Sequence, residues 1–170
     1  MKSPLLISTP LASLSDENLE ILKNTELIAI NQDSVVGTGV VPFRWGYNPD
    51  YVSDNLHPAQ YWSGRSENGT VIMLINVLDD AADMAFNFTE SPWLRWGRQY
   101  AVRDLWTHTD NGVSVRTYTA AGVPAHGSVA LLLTDAGEEP QDAGLAPCAL
   151  YEYWGNPWCV DQNGTKIQPP

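Results

Sequence analysis

The feature that most constrains this chain is a change in the period of its apolar residues near Val40. Before that point apolar side chains recur at helical spacing. After it they alternate, and turn-forming residues return at short intervals. In a strand successive side chains point to opposite faces, so a stretch with one apolar face must bury that face against a second layer. Alternation is plainest in Met84-Ala85-Phe86-Asn87-Phe88, where Met84, Phe86 and Phe88 share a face and Asn87 falls on the solvent side. In Val113-Ser114-Val115-Arg116 the two valines point one way and the polar residues the other. The predicted strands are 41–47, 59–64, 70–77, 83–89, 99–106, 113–119 and 128–134. Asn68-Gly69 and Asn111-Gly112 are both hairpin signals. Short strands at this spacing predict a mainly β fold, an antiparallel β-sandwich of Greek-key type.

The lead-in differs. Pro4-Leu5-Leu6-Ile7-Ser8 is a continuous apolar run of the kind found in a strand buried on both faces of a parallel sheet. Ser15 is a good helix N-cap, followed by Asp16 and Glu17 at the positive end of the helix dipole. Leu14 and Leu19 have the spacing of a hydrophobic staple. Asn24 is expected to end this helix in a left-handed conformation, with a second helical turn through Leu27-Ile28-Ala29-Ile30. Beyond residue 136 the chain is rich in Pro and Gly, then aromatic at Tyr151, Tyr153, Trp154 and Trp158. The expected organisation is 1–39, 40–135 for the sandwich, and 136–170 as a tail with a stapled aromatic knob.

A net charge of -11 repels phosphate backbones, so nucleic acid is excluded as a partner. No window approaches the roughly 18 consecutive apolar residues of a membrane-spanning helix, so no membrane partner is expected. The pairs Asp79-Asp80 and Glu138-Glu139 sit beside turn residues and read as solvated charge. The two cysteines, Cys148 and Cys159, lie close together in the tail, where a disulfide is expected and would contribute roughly 3 kcal/mol by restricting the unfolded chain. Three N-glycosylation triplets accompany them, at Asn68, Asn87 and Asn163. Together these predict a secreted protein. Met1-Lys2-Ser3-Pro4 opens no charged segment leading into a signal-length apolar run. The expectation is therefore a fragment of a secreted parent, with no signal peptide of its own.

The residues offer no reaction centre. His57, His108 and His126 are scattered over different loops and strand ends, which argues against a metal site. There is no Gly-x-Ser-x-Gly elbow and no phosphate loop. Arg103 and Asp104 are adjacent in a strand, so they face opposite ways, and an ion pair with another neighbour is expected of them. No catalytic, cofactor-binding or metal-ligating residue is assigned, and no cofactor is expected. Of the seven tryptophans, Trp45, Trp62 and Trp106 are expected to pack the sandwich or its contact with another domain. Trp93 with Trp96, or Trp154 with Trp158, would be the place for a secondary sugar-binding patch.

Two stretches resemble a family. Lys2-Ser3-Pro4-Leu5-Leu6-Ile7 with the capped helix after it, and Leu27-Ile28-Ala29-Ile30-Asn31-Gln32-Asp33, are similar to retaining α-galactosidases of the melibiase type. Further along, Gln60-Tyr61-Trp62-Ser63-Gly64, Met73-Leu74-Ile75-Asn76, Val102-Arg103-Asp104-Leu105-Trp106-Thr107 and Val129-Ala130-Leu131-Leu132-Leu133 follow the family's C-terminal sandwich in order. The resemblance covers about residues 2 to 135. It implies that 1–39 is a strand-helix remnant of a (β/α)8 barrel, its last strand and helix. It also implies retaining hydrolysis of terminal α-linked galactose. That chemistry needs two carboxyl groups roughly 5–5.5 Å apart, which in the family lie on earlier barrel strands, and a full barrel takes about 250 residues. The chain alone is therefore expected to be inactive, meeting α-galactosides only through a barrel on which the sandwich packs. The alternative is a free-standing carbohydrate-binding or interaction module.

Overall fold

A computed structural model describes residues 8–34, 39–44, 58–95, 97–141, 143, 159–160 and 166–167. The expected strand at Leu5–Ile7 lies outside them, as do Trp45, His57, Trp96, Cys148, Trp154, Trp158 and Asn163.

After a 3-10 turn at Leu11–Ser13 come two helices, α1 (Asp16–Lys23) and α2 (Thr25–Gln32). Ser15 caps α1 as expected, its Oγ accepting the Asn18 N–H at 3.3 Å. Asn24 does not take the left-handed stop expected of it. Its φ of -61° and ψ of 101° are extended, because its side chain starts the next helix: Oδ1 accepts the N–H groups of Glu26 and Leu27 at 3.1 and 3.0 Å. One residue thus ends α1 and caps α2, which satisfies donors that the second helix would otherwise leave orphaned.

Eight strands follow: β1 (Val41–Arg44), β2 (Tyr61–Ser66), β3 (Gly69–Ile75), β4 (Ala82–Asn87), β5 (Arg98–Asp104), β6 (Thr109–Val115), β7 (Thr117–Val123) and β8 (Ser128–Glu138). A two-stranded piece, β9 (Cys159–Val160) with β10 (Lys166–Ile167), lies in the tail. The main sheet has the order β1-β2-β3-β8-β5-β6, and β4 pairs with β7 in a second, smaller sheet. Every pairing is antiparallel. Strand β8 enters last yet sits between β3 and β5, which suits its apolar run: Ala130 is buried on one face, Leu131 and Leu133 on the other.

The two sheets share one core, formed by Phe43, Tyr61, Ile72 and Leu74 from one side of the main sheet, Val102, Leu131 and Leu133 beside them, and Met84, Phe86, Ala120 and Val123 from the small sheet. The face predicted from alternation is correct, since Met84, Phe86 and Phe88 are all buried. Phe86 meets Phe43 edge-on at 5.8 Å, and Phe88 meets Tyr100 at 5.3 Å and 87°. Each such aromatic pair adds about 1 kcal/mol beyond the area it buries.

Three further sequence expectations are corrected. The segment 113–119 is not one strand. Val115 pairs with Gln99 in the main sheet and Thr117 with Asn87 in the small one, so the chain changes sheet at Arg116. The residue between them takes a φ of 65°, at a cost of about 1–3 kcal/mol. Fixed partners offset that strain. Phe88 N–H donates to the Arg116 carbonyl at 2.7 Å, and the mostly buried guanidinium grips Glu139 through Nε and Nη2 at 2.8 and 2.9 Å. Nor is Asn111-Gly112 a hairpin turn. Asp104 Oδ1 accepts the N–H groups of Trp106 and Thr107, placing the turn at Leu105–His108 instead. Asn111 and Gly112 then stand opposite Val102 as a bulge, with Gly112 at φ 77°. In consequence Val113 is not on a core face: it is 55% exposed, on an edge strand.

The Asn68-Gly69 hairpin is present, though Gly69 falls one place past the loop, paired with Ser66. Its φ is 150°, and a Cβ there would lie 2.3 Å from the Leu133 carbonyl oxygen on β8. Only glycine allows that approach. At the other end of β3, buried Asn76 holds two loops together: its Nδ2 donates to the carbonyls of Asp80, Val123 and Pro124, while Oδ1 accepts Leu78 N–H.

Candidate functional site

The helices meet the sandwich through a polar joint. Asn24 contributes first, since its Nδ2 donates to the Leu105 carbonyl at 2.8 Å in a buried bond while its Oδ1 caps α2. Two residues on, the Glu26 carboxylate receives Arg103 Nε at 2.8 Å on one oxygen and Nη2 at 2.7 Å on the other. This is the fork-to-fork geometry in which Arg binds a carboxylate best. His108 Nδ1 lies 2.7 Å from the same Oε1, and Arg103 Nη1 donates to Asp110 at 2.9 Å. At the far end of α2, Asp33 Oδ2 accepts Ser66 Oγ at 2.7 Å and Glu67 N–H at 2.8 Å. The β5–β6 turn and the β2–β3 turn lie at opposite ends of the main sheet, so α2 is a strap fastened at both ends.

Position in the fold makes this possible. Arg103 is in β5 and projects from the face opposite the core residue Val102. His108 reaches back because the β5–β6 turn ends there with a φ of 57°. The electrostatics match the geometry. The hydrogen bonds from Arg103, aided by those from His108 and by both positive charges, lower the Glu26 pKa to about 2 against a desolvation that raises it. The same partners, Glu26 first and then Asp110, raise that of Arg103. A carboxylate so occupied is a fastening, not a general acid or a nucleophile.

Arg103 forms the ion pair expected of it, in the strap, whereas Asp104 instead accepts backbone N–H groups in the turn. His126 meets Asp79 at 3.2 Å, between two exposed side chains. Among the described residues no three of His, Cys, Asp and Glu gather as a metal site, and no helix is long and apolar enough to cross a membrane. Trp62 donates its indole N–H to the Ala59 carbonyl, and Trp93 is half-buried with the Arg65 guanidinium 5.5 Å above its ring. Asn68 stands exposed in the β2–β3 turn, and Asn87 is half-buried at the end of β4. The strap itself was not foreseen. Glu26 and Arg103 are 77 positions apart, and each alone reads as an ordinary surface charge. The one local signal was Asn24, a cap-forming residue between two helical stretches.

Residues 57–133 match a family described as the alpha galactosidase C-terminal beta sandwich domain. A probable alpha-galactosidase B from Penicillium simplicissimum is 39% identical over 138 residues, covering 80% of this chain and 32% of that protein. Another from Aspergillus oryzae is 43% identical over 118 residues, covering 66% and 27%. The chain thus spans about a third of the length of these relatives. Among solved structures, alpha-galactosidase I from Mortierella vinacea superposes with a TM-score of 0.65 at 29% identity, over 82% of this chain and 34% of its own. The alpha-galactosidase of Saccharomyces cerevisiae gives 0.64 at 20% identity, over 79% and 41%, a likeness of fold. Residues 57–133 are therefore similar to the α-galactosidase C-terminal β-sandwich, and the chain as a whole is similar to the C-terminal portion of α-galactosidases.

Proposed function

We propose that this chain is the C-terminal portion of a secreted α-galactosidase, in which it braces a (β/α)8 barrel that hydrolyses terminal α-linked galactose with retention. The observation that carries this reading is the unequal use of the helices. Their polar residues Asn24, Glu26 and Asp33 are fastened to the sandwich. Their apolar residues Leu19, Leu22, Leu27 and Ile28 are only half-buried, and Ile21 is 47% exposed. A soluble chain gains little by leaving such a stripe in water, and a barrel packed on it would complete the burial. The organisation proposed is a barrel remnant over 1–39, the sandwich over 40–135 and a disulfide-bonded tail over 136–170, with Cys148 joined to Cys159.

The paired carboxylates of retaining hydrolysis belong, in this reading, to the barrel, so the 170-residue chain is inert by itself. The free-standing sugar-binding alternative has less support, because Arg65 covers the ring of Trp93 that a sugar would need. The test is an assay of the purified chain on an aryl α-galactoside. No turnover is expected above buffer, and turnover that tracks the chain through purification contradicts the reading.

A further inference from the structure

The small β4–β7 sheet has one face in the core and the other toward solvent. On that outer face Ala85, Asn87, Thr117 and Thr119 line a hollow of about 280 Å³, together with the edge of Phe86. Its lining carries no charge. It offers methyl groups and two threonine hydroxyls, the mixture of apolar and hydrogen-bonding surface that the two faces and rim of a sugar ring require. Asn87 opens the triplet Asn87-Phe88-Thr89, and its amide is therefore an attachment point already inside the hollow.

We propose that Asn87 carries an N-linked glycan whose first sugars lie in this hollow and cover the outer face of the small sheet. The donor is an oligosaccharide linked through diphosphate to a membrane lipid. Asn87 Nδ2 forms a bond to the sugar C1 and gives up one proton to a base; the C1–O bond to the diphosphate breaks, and the lipid diphosphate leaves. Transfer precedes folding. In the folded chain Phe88 is buried, Thr89 lies within a 3-10 turn, and Asn87 N–H is bonded to Glu90 Oε2 at 2.7 Å, so the triplet cannot extend into an enzyme. Asn68 provides the contrast. It stands exposed in a two-residue turn, where a glycan would project into water.

This inference rests on the secretion proposed above but not on the α-galactosidase reading, so the two fail separately. The chain is produced behind an export signal in a host that N-glycosylates, and Asn87 occupancy is read by peptide mass spectrometry. Release by a peptide amidase, which leaves Asp at the site, is then timed on native and on denatured protein. Asn87 is expected to be occupied, and native release to be at least about tenfold slower than denatured release, since the linkage is reached only through local opening. Replacing Thr117 and Thr119 together by Lys, which fills the hollow from its rim, is expected to bring native release close to the denatured rate. A bare Asn87 on exported chain, equal release rates in the two states, or slow release unaffected by the lysines would overturn the proposal.

Discussion

Ile72, Leu74, Leu131 and Leu133 are fully enclosed between the two sheets, whereas neither α1 nor α2 buries a single one of its residues. The sandwich is held by apolar area removed from water, which is large and insensitive to pH. The helical lead-in is held by one buried amide bond at Asn24 and by a few charge-assisted hydrogen bonds, which are modest, partly exposed to solvent and open to titration. One part of the chain has closed its apolar core and the other has not. The sandwich has buried most of its large apolar side chains, while those of the helices are at best half-buried.

Core truncation gives the largest expected effect. Phe86→Ala removes a ring packed against Phe43, Phe88 and Tyr118 and is expected to cost about 3–5 kcal/mol. Leu22→Ala in α1 is expected to cost under about 1 kcal/mol, as for a half-exposed site. Urea unfolding of both variants compares the regions directly, and equal losses would erase the distinction. Next in size is Gly69→Ala, which places a methyl group against the Leu133 carbonyl at a backbone angle side chains avoid. A loss of about 2–3 kcal/mol is expected, read as a lower denaturant midpoint at unchanged slope.

How much of this the sequence disclosed depends on the range of the interactions. Ser15 and the alternating 84–88 segment were legible because cap and strand period are written in adjacent residues. The resemblance placed the sandwich segments in order for the same reason, through short motifs. Arg116 was not legible. Val113-Ser114-Val115-Arg116 alternates and runs on to Tyr118 without Gly, Pro or Asn to mark a break, and the Arg116 side chain that fixes the sheet change is held by Glu139, 23 positions away. Asn111-Gly112 misled because its turn propensity lost to Asp104, whose side chain fixed the turn earlier. The strap was invisible for the same reason as the sheet change. Both are tertiary choices made by residues that look ordinary in their own neighbourhoods.

A smaller effect separates the regions by pH. Because the folded pKa of Glu26 is about 2, below its ordinary 4.5, the strap contributes stability above the unfolded pKa, and that contribution is lost as pH falls from about 4.5 through about 2. With both partners partly exposed, about 1 kcal/mol is at stake. Glu26→Gln is expected to flatten the acid limb of the stability curve in that window and leave neutral core protection unchanged. A wild-type acid limb that the substitution does not alter would show that the strap is not fastened by Glu26. The smallest effect is expected for Ile21→Ser, within about 0.5 kcal/mol in this chain. The same change is expected to weaken association with a barrel, measured by binding to a separately produced barrel segment.

The most direct measurement of the contrast is amide hydrogen exchange on the 170-residue chain, resolved by element. Strands β3, β5 and β8 are expected to exchange only through global unfolding, α2 earlier through release of its strap, and α1 earliest. Addition of a barrel segment would then slow exchange in α1 and α2 and leave β3 and β8 unchanged. Protection in α1 equal to that in β3 and β8 with no barrel present would show that the helices are held as firmly as the sandwich core.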